Sequence, residues 1–474
     1  MSNKFLEEDW ELIVGLEVHV ELGTKTKLFC GCVNQFGDTP NTNICPVCLG
    51  LPGSLPVVNE KAVLYSMQLG RALNCKVNRS VFARKNYFYP DMPKDYQISQ
   101  YDQPTNTDGY LELPSGIRIG IERAHMEEDT GKTVHVGSSG RISGADYSLV
   151  DYNRAGVPLI EIVSNPEIRT VDQAKEYVVE LRGILIALEI SDAKMEEGSI
   201  RVDANVSVRR SGEQELRTRC EIKNVNSLRS LGRAIEYEAK RHVDLYENGE
   251  APSQETRHWD EGAGRTRAGR SKEDAEDYRY FQEPDLVPLN PKAETIAAID
   301  QELPHFPSER RRQLADLTGM DRAEIALIVE RDYDAFAIET IEVGATPQLV
   351  VKHLINNLSD GLGELTSAAL AELVEMEEKA ELTSTQVKKV LGELVQKGGT
   401  PEDIAAQFGL EAVDSELIEN LIEGLINDHP DEWERFCSGE KKVQGFFVGQ
   451  IMKITEGQAD GKVINQILND RVSN

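Results

Sequence analysis

Four cysteines near the N-terminus constrain this chain more than any other feature: Cys30-Gly-Cys32 and Cys45-Pro-Val-Cys48, with twelve residues between the pairs. Two close thiol pairs can close a tetrahedral four-sulfur shell around zinc, and the loop between them is then a metal knuckle. Cys45 and Cys48 have the usual two-residue spacing. Gly31 and Pro46 suit tight ligand turns, and Gly50 and Gly53 are expected to relieve crowding behind the second pair. Four free thiols are the alternative. The chain has seven cysteines in 474 residues, unlike the dense, even set of a small disulfide-stapled secreted domain. Four thiolates leave no coordination position for water, so the zinc expected here is structural and the chemistry lies elsewhere.

A chain of this length exceeds one hydrophobic core, and two or three domains are expected. Its N-terminus lacks a positive segment followed by an apolar run, and no apolar stretch approaches about 18 residues, so a soluble cytoplasmic protein without a membrane span is expected. The net charge is −29, from 81 acidic and 52 basic side chains. That balance argues against a general nucleic-acid coat and excludes DNA as an obvious partner; a nucleic acid would have to meet a local basic patch.

Up to about residue 290 the chain alternates short β-like runs with Gly, Pro, Asn and Asp turns, and two segments read as helices, 171–188 and 227–248. In the first, Ala174, Val178, Leu181, Leu185 and Leu188 repeat at three and four residues and share one face. In the second, Ser227 can cap the start and Gly249 the end. Beyond Pro288 to Pro291 the chain reads as helices, including a long one over 321–342, and Lys397-Gly-Gly-Thr-Pro401 marks a hinge. The fold class is therefore α+β: a mixed body over 1–290, a helical domain over 291–400 and a small helical tail over 401–474.

Gly15-Leu-Glu-Val-His-Val-Glu21 alternates, so Glu17, His19 and Glu21 project from one face of a strand. That face is either a solvated one or a metal or acid/base site. Glu127-Glu128-Asp129 follows His125, and Glu161 interrupts the apolar run Pro158-Leu-Ile-Glu-Ile-Val163. A carboxylate in a strand buried on both sides needs a partner, and Glu17, His19, Glu128 and Glu161 together would suit magnesium beside a nucleotide phosphate. The run from Glu196 to Asn205, with Asp203, is a further polar cluster that a solvated strand explains almost as well.

No G-x-x-x-x-G-K-S/T, G-x-G-x-x-G, H-E-x-x-H or G-x-S-x-G element is present, so any ATP site is of unusual construction. Arg84-Lys85-Asn86-Tyr-Phe-Tyr-Pro-Asp91 and Lys94-Asp-Tyr-Gln97 mix cations, aromatics and amides in a loop-rich stretch that could hold phosphate or a nucleotide end. Ordinary surface loops have the same composition.

Together these segments closely resemble the B subunits of bacterial glutamyl/aspartyl-tRNA amidotransferases. The resemblance rests on Val14-Gly-Leu-Glu-Val-His-Val-Glu21, Cys45-Pro-Val-Cys-Leu-Gly50, Arg84 to Asp91, His125-Met-Glu-Glu-Asp129, Pro158 to Val163, Lys194-Met-Glu-Glu-Gly198, Arg201-Val-Asp-Ala-Asn205, Gln254-Glu-Thr-Arg257, Asp277-Tyr-Arg-Tyr-Phe281 and Gly449-Gln-Ile-Met-Lys453. It covers nearly the whole chain, with one departure, Gln282 where proline is expected. It implies a cradle-shaped domain, a helical domain and a tail related to the YqeY proteins, working with an amidase A subunit and a small C subunit as a heterotrimer. It also implies a carbon–nitrogen ligase with glutamine as amide donor. ATP and Mg2+ would phosphorylate the side-chain carboxylate of Glu or Asp misattached to tRNA, and ammonia from the A subunit would then form the amide. Glu17, His19, Glu128 and Glu161 match the family's metal positions, and the four cysteines match its zinc knuckle; Arg84, Lys85 and Asp203 are expected on the phosphate, nucleotide or ammonia path.

Lys441, Lys442, Lys453, Lys462 and Arg471 concentrate positive charge in the last 34 residues, where phosphate contacts would hold tRNA. A solvated helix face is the alternative. Two rival functions are a non-catalytic tRNA-binding scaffold, which has no need of a buried Glu161 beside Glu17 and His19, and a free-standing zinc protein that binds nucleic acid, which would be basic.

Overall fold

The computed structural model describes residues 6, 9–137, 145–269, 278–410, 415–455, 459 and 461–473. The chain divides into two compact units, 1–309 and 310–474. The first holds the strands β1 (Trp10–Glu21), β2 (Lys76–Val77), β3 (Ala83–Asn86), β4 (Tyr96–Ser99), β5 (Asn106–Glu112), β6 (Arg118–Glu128), β7 (Lys132–Gly137), β8 (Ala145–Asp151), β9 (Pro158–Ser164), β10 (Ile200–Arg210), β11 (Cys220–Val225), β12 (Thr256–Asp260), β13 (Arg265–Ala268) and β14 (Phe281–Gln282). Its helices are α1 (Glu60–Ala72), α2 (Val171–Ala187), α3 (Leu228–Glu247) and α4 (Ala293–Glu302).

Nine strands make the central sheet, in the order β13-β12-β11-β10-β1-β9-β6-β5-β2. All its described pairings are antiparallel except β11 with β12. Alternation along β1 does most of the positioning. Leu12, Val14, Leu16, Val18 and Val20 are all fully buried and join one core with Ala174, Val178, Leu181 and Leu185 of α2 and Leu231, Ala234 and Ile235 of α3. Burying each large aliphatic side chain is worth about 1.5–3 kcal/mol, so this face fixes which way the other one looks. Glu17, His19 and Glu21 consequently stand on the opposite face.

Both helices expected in this unit form, with Thr170 and Gln173 closing a capping box on α2 and the Ser227 hydroxyl accepting from the Ser230 amide on α3. Two further helices were not expected. Asn59 caps α1, whose Gly70 lies so close to Asn106 that a Cβ there would stand 1.9 Å from its Oδ1. Helix α4 belongs to the first unit, where Asp300 pairs with Arg71 of α1 at 2.7 Å.

All the described elements of the second unit are helices. The expected 321–342 helix is two shorter ones, Ala326–Glu330 and Asp334–Glu342, broken where Asp332 adopts a φ of 58°. One core runs from Leu314 to Ala405, and a separate one from Ile418 to Leu468. Gly398 and Gly399 have φ of 69° and 102°, and the Thr400 hydroxyl caps Pro401–Gln407. That helix places Ile404 and Ala405 in the first of these cores, with Leu410 packed against it.

Candidate functional site

Strand register brings the titratable groups together. His19 on β1 lies directly opposite Glu161 on β9, and Glu161 lies opposite His125 on β6, so the three form one row across adjacent strands. Glu127, two residues beyond His125, shares its face. His19 Nε2 is 3.6 Å from Glu127 Oε1 and from Glu161 Oε2, and His125 Nε2 is 3.7 Å from Glu161 Oε2. One ligand atom from each of His19, Glu127 and Glu161 lies within 4.8 Å of the others. These residues floor a cleft of about 790 Å³, whose wall includes Lys85, Tyr101, Lys223 and Tyr280.

The charges in this cluster are strongly interdependent. Burial opposes a charge on His19, but the hydrogen bond and charge of Glu161 and the charge of Glu127 outweigh it and raise the imidazole to about 9. Burial, then the neighbouring Glu161, pushes Glu127 up to about 7. Burial opposes the Glu161 carboxylate too, yet His125 and His19 hold it well below the usual range. Burial also lowers His125 to about 4. One buried and one half-buried carboxyl converging with an imidazole, with Arg123 3.9 Å from Glu161, offer donors of the kind that hold a divalent ion.

Glu128 stands apart from this cluster. It is the next residue on the strand, so its side chain leaves from the other face, where Lys94 pairs with it and the Ile98 amide donates to Oε1 at 2.8 Å. Glu127 occupies the position expected for it. Glu17 lines the cleft, and its Oε1 accepts from Asn205 Nδ2 at 2.8 Å, but it is not among the three converging ligands.

Among the other expected residues, Arg84 is committed elsewhere: Nε and a terminal nitrogen grip Glu283 at 2.6 and 2.9 Å, and Glu283 is fully buried. Lys85 faces the cleft with its Nζ 4.5 Å from the Tyr278 ring centre. Asp203 pairs with Lys223 at 2.8 Å. Residues not singled out from sequence include Glu127 and Tyr280, whose ring stacks on Tyr101 with centroids 4.2 Å apart. Glu127 was recoverable from strand parity alone, since His125 and Glu127 share a face and Glu128 cannot.

The four cysteine sulfurs also lie within 4.8 Å of one another, with Cys45 and Cys48 3.9 Å apart. Sulfurs bound at about 2.3 Å in a tetrahedron stand about 3.8 Å apart, so the shell fits zinc. Gly50 has a φ of 66°, and a Cβ there would meet Lys94 Cγ at 2.5 Å, as its expected role requires. Gly53 instead serves a backbone φ of 84° with open space around it. A third group, Cys220, Glu238 and His242, also converges, but Arg241 and Arg257 already neutralise Glu238, which marks a structural ion-pair network.

In the last 64 residues Lys442 and Lys453 are exposed, while Arg471 lies 3.5 Å from Glu423. The side chains of Lys441 and Lys462 lie outside the described residues. No described helix is long and apolar enough to cross a membrane.

A mixed sheet carrying a partly buried acid–imidazole cluster and a four-cysteine knuckle, followed by helical cores, is an enzyme-like body with a helical extension, and the comparisons agree. The model of the GatB/GatE catalytic domain matches residues 12–297, and that of the YqeY-type GatB domain matches 339–472. Relatives named as the B subunit of aspartyl/glutamyl-tRNA(Asn/Gln) amidotransferase include those of Thermosynechococcus vestitus and Persephonella marina. They are 45% and 44% identical, each over 98% of this chain and over 97% and 99% of their own lengths. The Frankia casuarinae protein of that name is 45% identical over 98% of this chain and 96% of its own. The chain belongs to this family of amidotransferase B subunits.

Proposed function

We propose that the cleft activates the side-chain carboxylate of a glutamate or aspartate misattached to tRNA, at the expense of ATP. An oxygen of that carboxylate attacks the γ-phosphorus and ADP leaves; ammonia then attacks the acyl carbon, phosphate departs and the amide remains. A carboxylate is a poor acyl donor until one oxygen becomes such a leaving group. The observation that carries this reading is the convergence of His19, Glu127 and Glu161 within 4.8 Å on the cleft floor. Mg2+ bound by these three would offset the charge gathering on the transferred phosphoryl group. Lys85 supplies a cation on the same wall, and Glu17, fixed by Asn205, stands beside them. A non-catalytic scaffold would have no use for two carboxyls held this close to one imidazole on a cleft floor.

The partners in this reading are an amidase A subunit that releases ammonia from glutamine, a small C subunit and the charged tRNA, in the cytoplasm. Zn2+ in the cysteine shell would have a structural part only. Phosphorylation can be isolated with γ-labelled ATP, misacylated tRNA and the assembled complex, with no ammonia donor. Glu127→Gln and Glu161→Gln should each lower formation of the phosphorylated aminoacyl-tRNA at least about 100-fold, while glutamine hydrolysis by the partner persists. Wild-type formation in both variants at limiting Mg2+ would remove the assignment.

A further inference from the structure

Lys27 is fully buried at the entrance to the cysteine knuckle, three residues before Cys30. Its Nζ donates to the Tyr152 carbonyl at 3.1 Å, and Cys48 Sγ lies 3.8 Å away. Among the described residues no carboxylate pairs with it. An ammonium removed from water without a counter-charge costs several kcal/mol, and a carbonyl dipole offsets only part of that. Four protonated thiols would leave it uncompensated. Four thiolates around a divalent ion carry net negative charge and would not. The surroundings of Lys27 therefore suit the knuckle in its metal-bound, anionic form.

We propose that Lys27 is the built-in counter-ion of the cysteine-bound metal, a positioning residue that pairs with the Cys48 thiolate and ties the shell to the 152–156 turn. That turn also belongs to the cleft's frame. Gly156 accepts from the Leu28 amide at 2.9 Å and donates to the Asp129 carbonyl at 2.9 Å. Arg154 reaches the carbonyls of Thr130 and Gly131 at 3.0 Å each. Asp129 directly follows β6, two residues beyond Glu127. A Cβ on Gly156 would come within 3.7 Å of both Lys27 Cδ and Cys48 Cβ, so the turn lies against the lysine–thiolate contact. The knuckle is thereby joined through one lysine to the strand end that presents the acidic cluster.

The inference rests on zinc filling the cysteine shell, and the test separates the two. Full-length protein is purified, its zinc is measured by mass spectrometry, and a chromophoric chelator is titrated against it. Wild type should hold about one zinc per chain. Lys27→Met, which keeps the length and removes the charge, should surrender zinc with about 10- to 100-fold weaker affinity. Lys27→Gln, which keeps a donor for Tyr152, should weaken binding similarly. After metal removal the difference should shrink: Lys27→Met should lose less melting temperature relative to wild type than it does in the zinc-bound form.

Zinc held at wild-type affinity by either variant would overturn the role of the charge. Equal destabilisation of Lys27→Met with and without zinc would assign Lys27 to packing alone. Absence of zinc from wild type would defeat the metal reading first and this inference with it. Failure of both variants to fold in zinc-supplemented cells would also count against it, since a weakened metal site leaves the core of the sheet intact.

Discussion

Glu127 and Glu128 are covalent neighbours in opposite surroundings. Glu127 shares its face with His19 and Glu161, whereas Glu128 is paired with Lys94 and bonded by the Ile98 amide. Glu128→Gln leaves a buried ammonium without its partner and should cost about 3–5 kcal/mol in urea unfolding. Glu127→Gln should cost little, because it removes one of two mutually repelling carboxyls, while abolishing phosphorylation. Equal stability losses in the two variants would contradict this division. Glu238 offers a pH test away from the cleft. Burial disfavours its charge, but the His242 ring 3.2 Å away and the hydrogen bonds and charge of Arg241 prevail and lower it to about 2. A carboxyl depressed in the folded state stabilises above its unfolded value, near 4.5, and loses that contribution as pH falls toward 2. Wild type should therefore exceed Glu238→Gln by about 3 kcal/mol at pH 7, with the gap closing below pH 4.5. A gap independent of pH would exclude the ionic explanation.

At the scale of elements, legibility followed the range of the interactions. Helices α2 and α3 were readable because each has its own cap and a three-and-four repeat within a few turns. The faces of β1 were readable for the same reason, since alternation is local. Helix α1 was not, because its Gly70 reads as a breaker and its reason, close approach to Asn106, lies on another strand. Gly70→Ala, normally favourable in a helix, should here destabilise by about 1–3 kcal/mol, and relief by Asn106→Ala in the same chain would confirm the contact. Likewise the alternation of β6 could be read, but not the register that sets His125 opposite Glu161. Arg84 was misplaced for a related reason: its partner Glu283 is about 200 residues away.

For the whole molecule, the two helical cores predict where the chain can be cut. Ending it after residue 410 should leave the unfolding of the 314–405 core unchanged, whereas ending it after 400 removes Ile404 and Ala405 and should lower it. Calorimetry of the two truncations decides between this division and one at 401. If exposed Lys442 and Lys453 contact tRNA phosphates, replacing both by Gln should weaken charged-tRNA binding and flatten its salt dependence by about two ion equivalents; an unchanged slope would remove that role. The placement of β1 also has a consequence during synthesis. Strand β1, the first of the described strands in chain order, lies in mid-sheet between β9 and β10, with Val18 opposite both Ile162 and Val202. At roughly 5–20 residues per second, the ribosome leaves the apolar face of this strand without either neighbour for roughly 7–30 s. During that interval its open edges invite pairing with other nascent chains, so β1 is a strand whose protection during synthesis falls to chaperones.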